Sequence, residues 1–233
     1  MSAKWVFSLK TNEKGLITDL KVRMVAHGFS QIPGVDFHHS SSACPSSTTI
    51  KTTLAVATEK GVEPFHWDIK QAYIHATLKE EIYMRLPQGS GVISGKVCSK
   101  VERALYGLKQ SGREWGFEAA DALNANGYEQ CRADPCVFRK MVDEEVVGLI
   151  VIYVDDIMVV ASEQEREELL ASLRKRFPVK DLGKCTWYDG IGIETDPENG
   201  TTKLSQKAYI ESVFKRFNVT TTAFPPLLSL VPI

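Results

Sequence analysis

No uninterrupted apolar stretch in this sequence is long enough to span a bilayer, and the first residues, MSAKWVFSLKTNEKG, contain no apolar core of signal-peptide length. An intracellular chain is therefore expected. Paired cysteine is lacking too. Cys44, Cys98, Cys131, Cys136 and Cys185 are odd in number and scattered, no CxxC occurs, and CRADPC has no matching His or Cys cluster elsewhere. That argues against a disulfide framework or a zinc site and for buried thiols in a reducing compartment. Nor is there a charge excess, since 28 Lys and Arg meet 29 Asp and Glu. Duplex binders usually carry a basic surplus, yet the field at a groove follows local placement rather than the sum. The first 23 residues hold Lys4, Lys10, Lys14, Lys21 and Arg23 against Glu13 and Asp19, by itself an ordinary solvated surface.

What is present is ordinary globular material. The 233 residues are 43% hydrophobic and 24% charged, enough for one large or two small domains with a real core. KWVFSLKTNEKGLITDLKVRMVAHGF reads as two strands joined by a polar turn at Asn12–Gly15. A Ser/Thr-rich loop, SSSACPSSTT, leads into a helix from about Thr49 to Lys60, with Gly61 past its end. PFHWDIKQAYI is a short strand running into Asp68, and LPQGSGVISG breaks the chain. A helix is expected from about Arg113, closing at Asn126–Gly127. SEQEREELLASLRKRFP is the cleanest helix, with a Ser162–Glu165 capping box, acids in the first turn and Pro178 as a stop. TWYDGIGIE reads as a strand, and SQKAYIESVFKRF as a second capped helix. Helices and strands alternate without a βαβ rhythm, so the expected class is α+β, a mostly antiparallel sheet backed by helices.

The stretch GLIVIYVDDIMVVAS sets two adjacent aspartates, Asp155 and Asp156, inside a very apolar run. An unpaired ionised carboxylate taken from water costs several kcal/mol. Two β-branched arms around a dipeptide suggest a hairpin with Asp155–Asp156 at its tip, where both carboxylates can reach one side of the sheet. One reading is a solvent-exposed turn. The other is a divalent-metal site, because Mg²⁺ takes carboxylate oxygens and keeps waters and phosphates in its shell. Two such ions roughly 3.5–4 Å apart stabilise both oxygens of an in-line phosphoryl transfer. That chemistry needs a further carboxylate from another strand, and Asp68 ends one.

YVDD at 153–156, with its apolar flanks, resembles the metal-binding hairpin of reverse transcriptases. WDIKQAYIHATLKEEIYMRLPQG resembles the first catalytic motif of copia-type LTR retrotransposon reverse transcriptases. KVRMVAHGFSQIPGVDF, ALYGLKQSGREW and KLSQKAYIESVFKRF resemble that family's other landmarks, in the family's order. The resemblance implies a right-hand polymerase fold, with fingers at about 1–64 and 80–112 and palm at about 65–79 and 113–197. The start of a thumb would lie at about 198–219, and 220–233 is an unassigned tail. It implies an RNA-directed DNA polymerase that copies an RNA or DNA template from a primer, using deoxynucleoside triphosphates and two Mg²⁺ (or Mn²⁺) ions. No membrane partner is implied, and the location would be cytoplasmic particles or the nucleus.

The same resemblance implies roles for individual residues. Asp68 and Asp155 would ligate both metals, with Asp156 less directly engaged and the Ile69 carbonyl as another ligand. Lys21 or Arg23 would grip the triphosphate. Tyr73 would reject a ribose 2′-hydroxyl by clash, which is selection by repulsion. Tyr106 and Gly107 would line the nucleotide pocket, Tyr153 would touch the primer end, and Gly190 would turn the primer-gripping hairpin in WYDGIGIE. Lys180 or Lys184 would protonate pyrophosphate.

The chain departs from the family pattern in places. HHSSSACPSS stands where an ETFAPV-like phrase is usual, Gly112 where Pro is usual, and His75–Ala76 where Asn-Gly is usual. Asp189 occupies a normally apolar position, where a buried charge would cost about one to a few kcal/mol. The usual ribonuclease H, integrase and protease portions are missing. An alternative expectation follows: a truncated, inactive relic serving at most as a nucleic-acid-binding or protein-interaction module.

Overall fold

The computed structural model describes residues 1–11, 16–91 and 98–219, so the expected turn at Asn12–Gly15 and the 220–233 tail lie outside the described residues. The chain opens with an antiparallel pair, β1 (Ala3–Thr11) and β2 (Ile17–Ala26). Helix α1 (Ser47–Glu59) follows, starting earlier than expected because Ser46 accepts a hydrogen bond from the Thr49 amide. Then come β3 (Phe65–Ile69) and a second pair, β4 (Thr77–Arg85) with β5 (Cys98–Arg103), which the sequence reading did not resolve. Helix α2 (Ser111–Asn124) also begins ahead of the expected Arg113.

Strands β6 (Glu129–Gln130), β7 (Val137–Val142), β8 (Glu145–Tyr153) and β9 (Asp156–Ala161) precede α3 (Glu163–Arg174), whose Ser162 cap is as expected. After α3 come β10 (Val179–Lys184), β11 (Trp187–Tyr188), β12 (Ile191–Asp196), β13 (Thr201–Ser205) and α4 (Lys207–Phe217). TWYDGIGIE is thus a hairpin rather than one strand. Every strand pair is antiparallel, and the main sheet runs β10-β3-β9-β8-β7-β6. The α+β expectation holds at that level. Among the described residues no helix is long and apolar enough to cross a membrane.

The middle of this sheet is apolar without alternation because both faces are covered. Ile150, Ile152, Ile157 and Val159 pack with Trp115 of α2 and Leu169 and Leu173 of α3. On the other face Val151 and Met158 pack with Ile50 and Leu54 of α1 and with Tyr188 and Ile191 of the β11–β12 hairpin. Asp134 explains the CRADPC motif without a metal: its carboxylate accepts from the Ser46 amide, the Thr49 hydroxyl and the Cys136 amide, tying α1 to β7.

The β8–β9 turn is displaced by one residue from the expected tip. Tyr153 pairs with Asp156, so the two central residues are Val154 and Asp155, and Asp156 already belongs to β9. Val154 has φ +55°, an outlier for a β-branched side chain. Two hydrogen bonds hold it there: Trp115 Nε1–H donates to the Val154 carbonyl and the Ile69 amide to the Asp155 carbonyl, both at 2.8 Å.

The root of β2 is clamped to the loop before α2. The Ala26 amide donates to the Tyr106 carbonyl, and buried Gln31 donates to Gln110 while accepting from the Lys109 amide. The approach leaves no room for a Cβ at Gly28, which would meet the Gly107 carbonyl. Gly28→Ala is therefore expected to destabilise by about 1–3 kcal/mol in urea denaturation. Gly116→Ala, on an exposed turn of α2 with open space around it, is expected to stabilise by up to about 1 kcal/mol.

Candidate active site

Asp68, next to last in β3, stands directly opposite Asp156 of β9, and Asp155 occupies the neighbouring turn. β2 crosses in front of them with alternate residues, Lys21 and Arg23, turned to the same side. Between these elements lies a cavity of about 560 Å³ whose wall includes Lys21, Arg23, Asp68, Ile69, Tyr106 and Asp155. Asp19 also lines it from β2 and Lys70 from the segment after β3, so charges of both signs face the same space. A second cavity of about 470 Å³ lies behind the turn against Val154, Trp115 and Phe138, and no acid lines it.

The charges in the first cavity are felt. Burial holds the Asp155 carboxyl above its ordinary range, and the Asp156 and Asp68 charges push the same way, against a hydrogen bond from Tyr106 and the field of Lys21. The Tyr106 hydroxyl donates to Asp155 Oδ2 at 3.4 Å, and burial with the Asp155 charge pushes its pKa up to about 12. The Arg23 guanidinium sits 5.5 Å from the Tyr106 ring centroid. Gln71, in a left-handed conformation, turns the chain into one short helical turn, Ala72–His75, that carries Tyr73 back to Tyr106. The two rings meet at 4.8 Å. Burial raises the Tyr73 pKa, and the Asp155 charge adds to it.

Other expected site residues lie further off. Asp156 does not line the cavity, and its carboxylate accepts a hydrogen bond from His66 at 2.8 Å. Gly107, at φ +94°, is pressed against the Ala26 carbonyl, so the close approach there is by the protein's own backbone. Tyr153 packs beside the α1 face. Gly190 lies in the β11–β12 turn after Asp189, both at positive φ, as a two-residue Asp-Gly hairpin requires. Asp189 is exposed there, so the feared burial cost does not arise. Tyr188, buried beside them, donates to the carbonyls of Val151 and Asp156 and fastens that hairpin to β8–β9. Lys180 stands opposite Asp68 in register, whereas Lys184 pairs with Glu63 at 2.7 Å.

Sequence reasoning missed Gln31, Gln110 and His66. The first two sit inside quoted motifs, GFSQ and LKQS, but nothing in a lone amide signals burial.

Among the described residues, no three His, Cys, Asp or Glu side chains form a ready-made metal cage. Two carboxylates beside an open cavity nonetheless suit Mg²⁺, which takes one or two protein carboxylates and fills its shell with water and phosphate oxygens. Burial and the neighbouring Asp156 and Asp68 charges both disfavour an ionised Asp155, and a cation there would offset them.

Asp68 of β3 and Asp155 of the β8–β9 turn thus line one cavity together with Lys21 and Arg23 of β2. Residues 1–228 match the family described as reverse transcriptase (RNA-dependent DNA polymerase), and the chain belongs to that family, in its copia-type retrotransposon branch. It is 36% identical over 222 residues to the retrovirus-related Pol polyprotein from transposon TNT 1-94 of Nicotiana tabacum, covering 94% of this chain and 17% of that polyprotein. It is 32% identical over 235 residues to the Pol polyprotein from transposon RE1 of Arabidopsis thaliana, covering 100% of this chain and 16% of that one. The truncated transposon Ty1-A Gag-Pol polyprotein of Saccharomyces cerevisiae is 28% identical over 208 residues, 85% of this chain and 17% of its own length. The chain thus spans about a sixth of these relatives.

A carboxyl whose pKa is raised on folding stabilises the fold while protonated, and that contribution is lost as pH rises through the folded value. In metal-free protein, Asp155→Asn is therefore expected to melt higher than wild type at neutral pH. The gap should close as pH falls below the folded pKa of Asp155, as thermal melts across a pH series would show.

Proposed function

We propose that this chain is an RNA-directed DNA polymerase domain that extends a primer on an RNA or DNA template. One observation carries the reading: Asp68 of β3 and Asp155 of the β8–β9 turn share the wall of a single cavity with Lys21 and Arg23 of β2. In this reading β1–β2 and β4–β5 belong to fingers, the main sheet with α2 and α3 to a palm, and α4 to the start of a thumb.

Two Mg²⁺ or Mn²⁺ ions, when bound at Asp68 and Asp155, supply Lewis-acid chemistry that lowers the pKa of a primer 3′-hydroxyl and offsets phosphate charge. The remaining work falls to side chains. Lys21 and Arg23 take the triphosphate, with Arg23 oriented by its packing on Tyr106. Tyr73, backed by Tyr106, limits space at the sugar and excludes a 2′-hydroxyl. Asp156 stays near without reaching into the cavity, Tyr153 and Gly190 lie toward the primer, and the Ile69 carbonyl is a further ligand. Register favours Lys180 over Lys184 as proton donor to pyrophosphate, since Glu63 occupies the latter.

A second reading, a binding module without chemistry, draws support from α4, none of whose residues is buried. A weak grip on template–primer would follow, because phosphate contacts dominate such affinity. Primer extension on an RNA template separates the two readings. Asp155→Asn and Asp68→Asn are expected to lose several kcal/mol of transition-state stabilisation, about a thousandfold in rate. A folded, template-binding wild type that incorporates nothing leaves only the second reading. Tyr73→Ala is expected to retain extension while accepting ribonucleotides roughly tenfold more readily, read as the ratio of kcat/KM for the two sugars.

A further inference from the structure

His66 lies two residues before Asp68 on β3 and so shares its face of the main sheet. Its Nε2 stands 2.8 Å from Asp156 Oδ1. A carboxylate only accepts, so Nε2 carries the hydrogen whatever the charge on the ring. Tyr188 fixes both partners: its ring meets the imidazole edge-on at 5.6 Å, and its hydroxyl donates to the Asp156 carbonyl at 3.2 Å. The His66 side chain is 17% exposed and that of Asp156 48%, so the packed imidazole captures the freer carboxylate.

Register makes this capture consequential. Asp156 is directly opposite Asp68, and side chains so placed start about 4.5–5.5 Å apart at Cβ on one face. Left alone, the Asp156 carboxylate has the reach to join Asp68 and Asp155 at the cavity. Yet Asp156 does not line it.

We propose that His66 is a positioning residue that holds the Asp156 carboxylate out of the cavity, so that of the three acids on β3 and the β8–β9 hairpin only Asp68 and Asp155 offer side-chain oxygens to a divalent cation. The cation part rests on the polymerase reading above; the hydrogen bond does not. An open coordination shell is the consequence, since a third carboxylate would take positions that substrate phosphates need.

The test uses the whole chain. In metal-free protein, long-range ¹H–¹⁵N spectra of the imidazoles are expected to show His66 with its hydrogen on Nε2, moved by Asp156→Asn. A hydrogen on Nδ1 alone overturns the proposal. Mn²⁺ binding, followed by electron paramagnetic resonance, supplies the second measurement. His66→Ala frees a third acidic ligand and is expected to bind Mn²⁺ roughly tenfold tighter, as affinity follows ligand charge. His66→Gln, which keeps an N–H donor, and Asp156→Asn are expected to stay within about twofold of wild type. Weakening by about tenfold in Asp156→Asn makes that residue an ordinary ligand and sinks the idea. Should His66→Ala fail to fold, the Gln and Asn variants decide alone. Failure of the polymerase reading looks different: Asp68→Asn would leave Mn²⁺ binding unchanged while the imidazole spectra still reported the bond to Asp156.

Discussion

The β8–β9 turn holds Val154 in a backbone conformation that a β-branched residue resists, at a cost of about 1–3 kcal/mol. Such strain persists only where neighbours over-determine it, and here there are two. Trp115 arrives from α2 and Ile69 from β3, each donating to a carbonyl of the turn. Because Ile69 follows Asp68, the bond that pins the turn also fixes the distance between Asp68 and Asp155. The carboxylates are brought together by backbone hydrogen bonds rather than by attraction of their own, which is negative.

That constraint accounts for the apolar run on either side. A turn carrying charge at the end of a sheet stays put only if the strands behind it cannot slip, and a one-residue slip would exchange the faces of every side chain. Here both faces of β8 and β9 are buried, one under α2 and α3, the other under α1 and the β11–β12 hairpin. Slippage would gain nothing in burial but would push Asp156 and Asp155 into the core. The cost of burying unpaired carboxylates enforces the register.

Element types were legible wherever local chemistry decides them. The Ser162 cap and the start of α3 follow from a side chain bonding its own neighbour, whereas TWYDGIGIE by itself read as one strand and only the resemblance implied its turn at Gly190. The turn at Asp155–Asp156 was misplaced by one residue because preference favours Asp in turns over Val, while the deciding donors, Trp115 and Ile69, are distant in sequence. β4 and β5 were unreadable for a similar reason: residues 86–97 separate them, and their pairing is non-local. At the site, the acidic pair and the cationic strand could be nominated from their motifs. Their meeting depends on the Gln31–Gln110 clamp, and buried amides bear no mark in a sequence.

Two departures from the family pattern explain each other once folded. Residue 112 is Gly where the family usually carries Pro, and a Cβ there would come 2.7 Å from Ser42 Oγ, too close for atoms that cannot both stay. Ser42 belongs to HHSSSACPSS, the phrase that replaces the family's usual one. Ser42 thus occupies the space that a side chain at residue 112 would need, at the N-terminus of α2, where a Cβ would lie 3.8 Å from the Tyr73 hydroxyl. Neither change alone reads as damage to the fold, because each supplies the room or the filling that the other requires. The carboxylates and the bases of the cavity lie outside this exchange, on β2, β3 and the β8–β9 turn. The loop thus bears on the surroundings of Tyr73 before it bears on the acids.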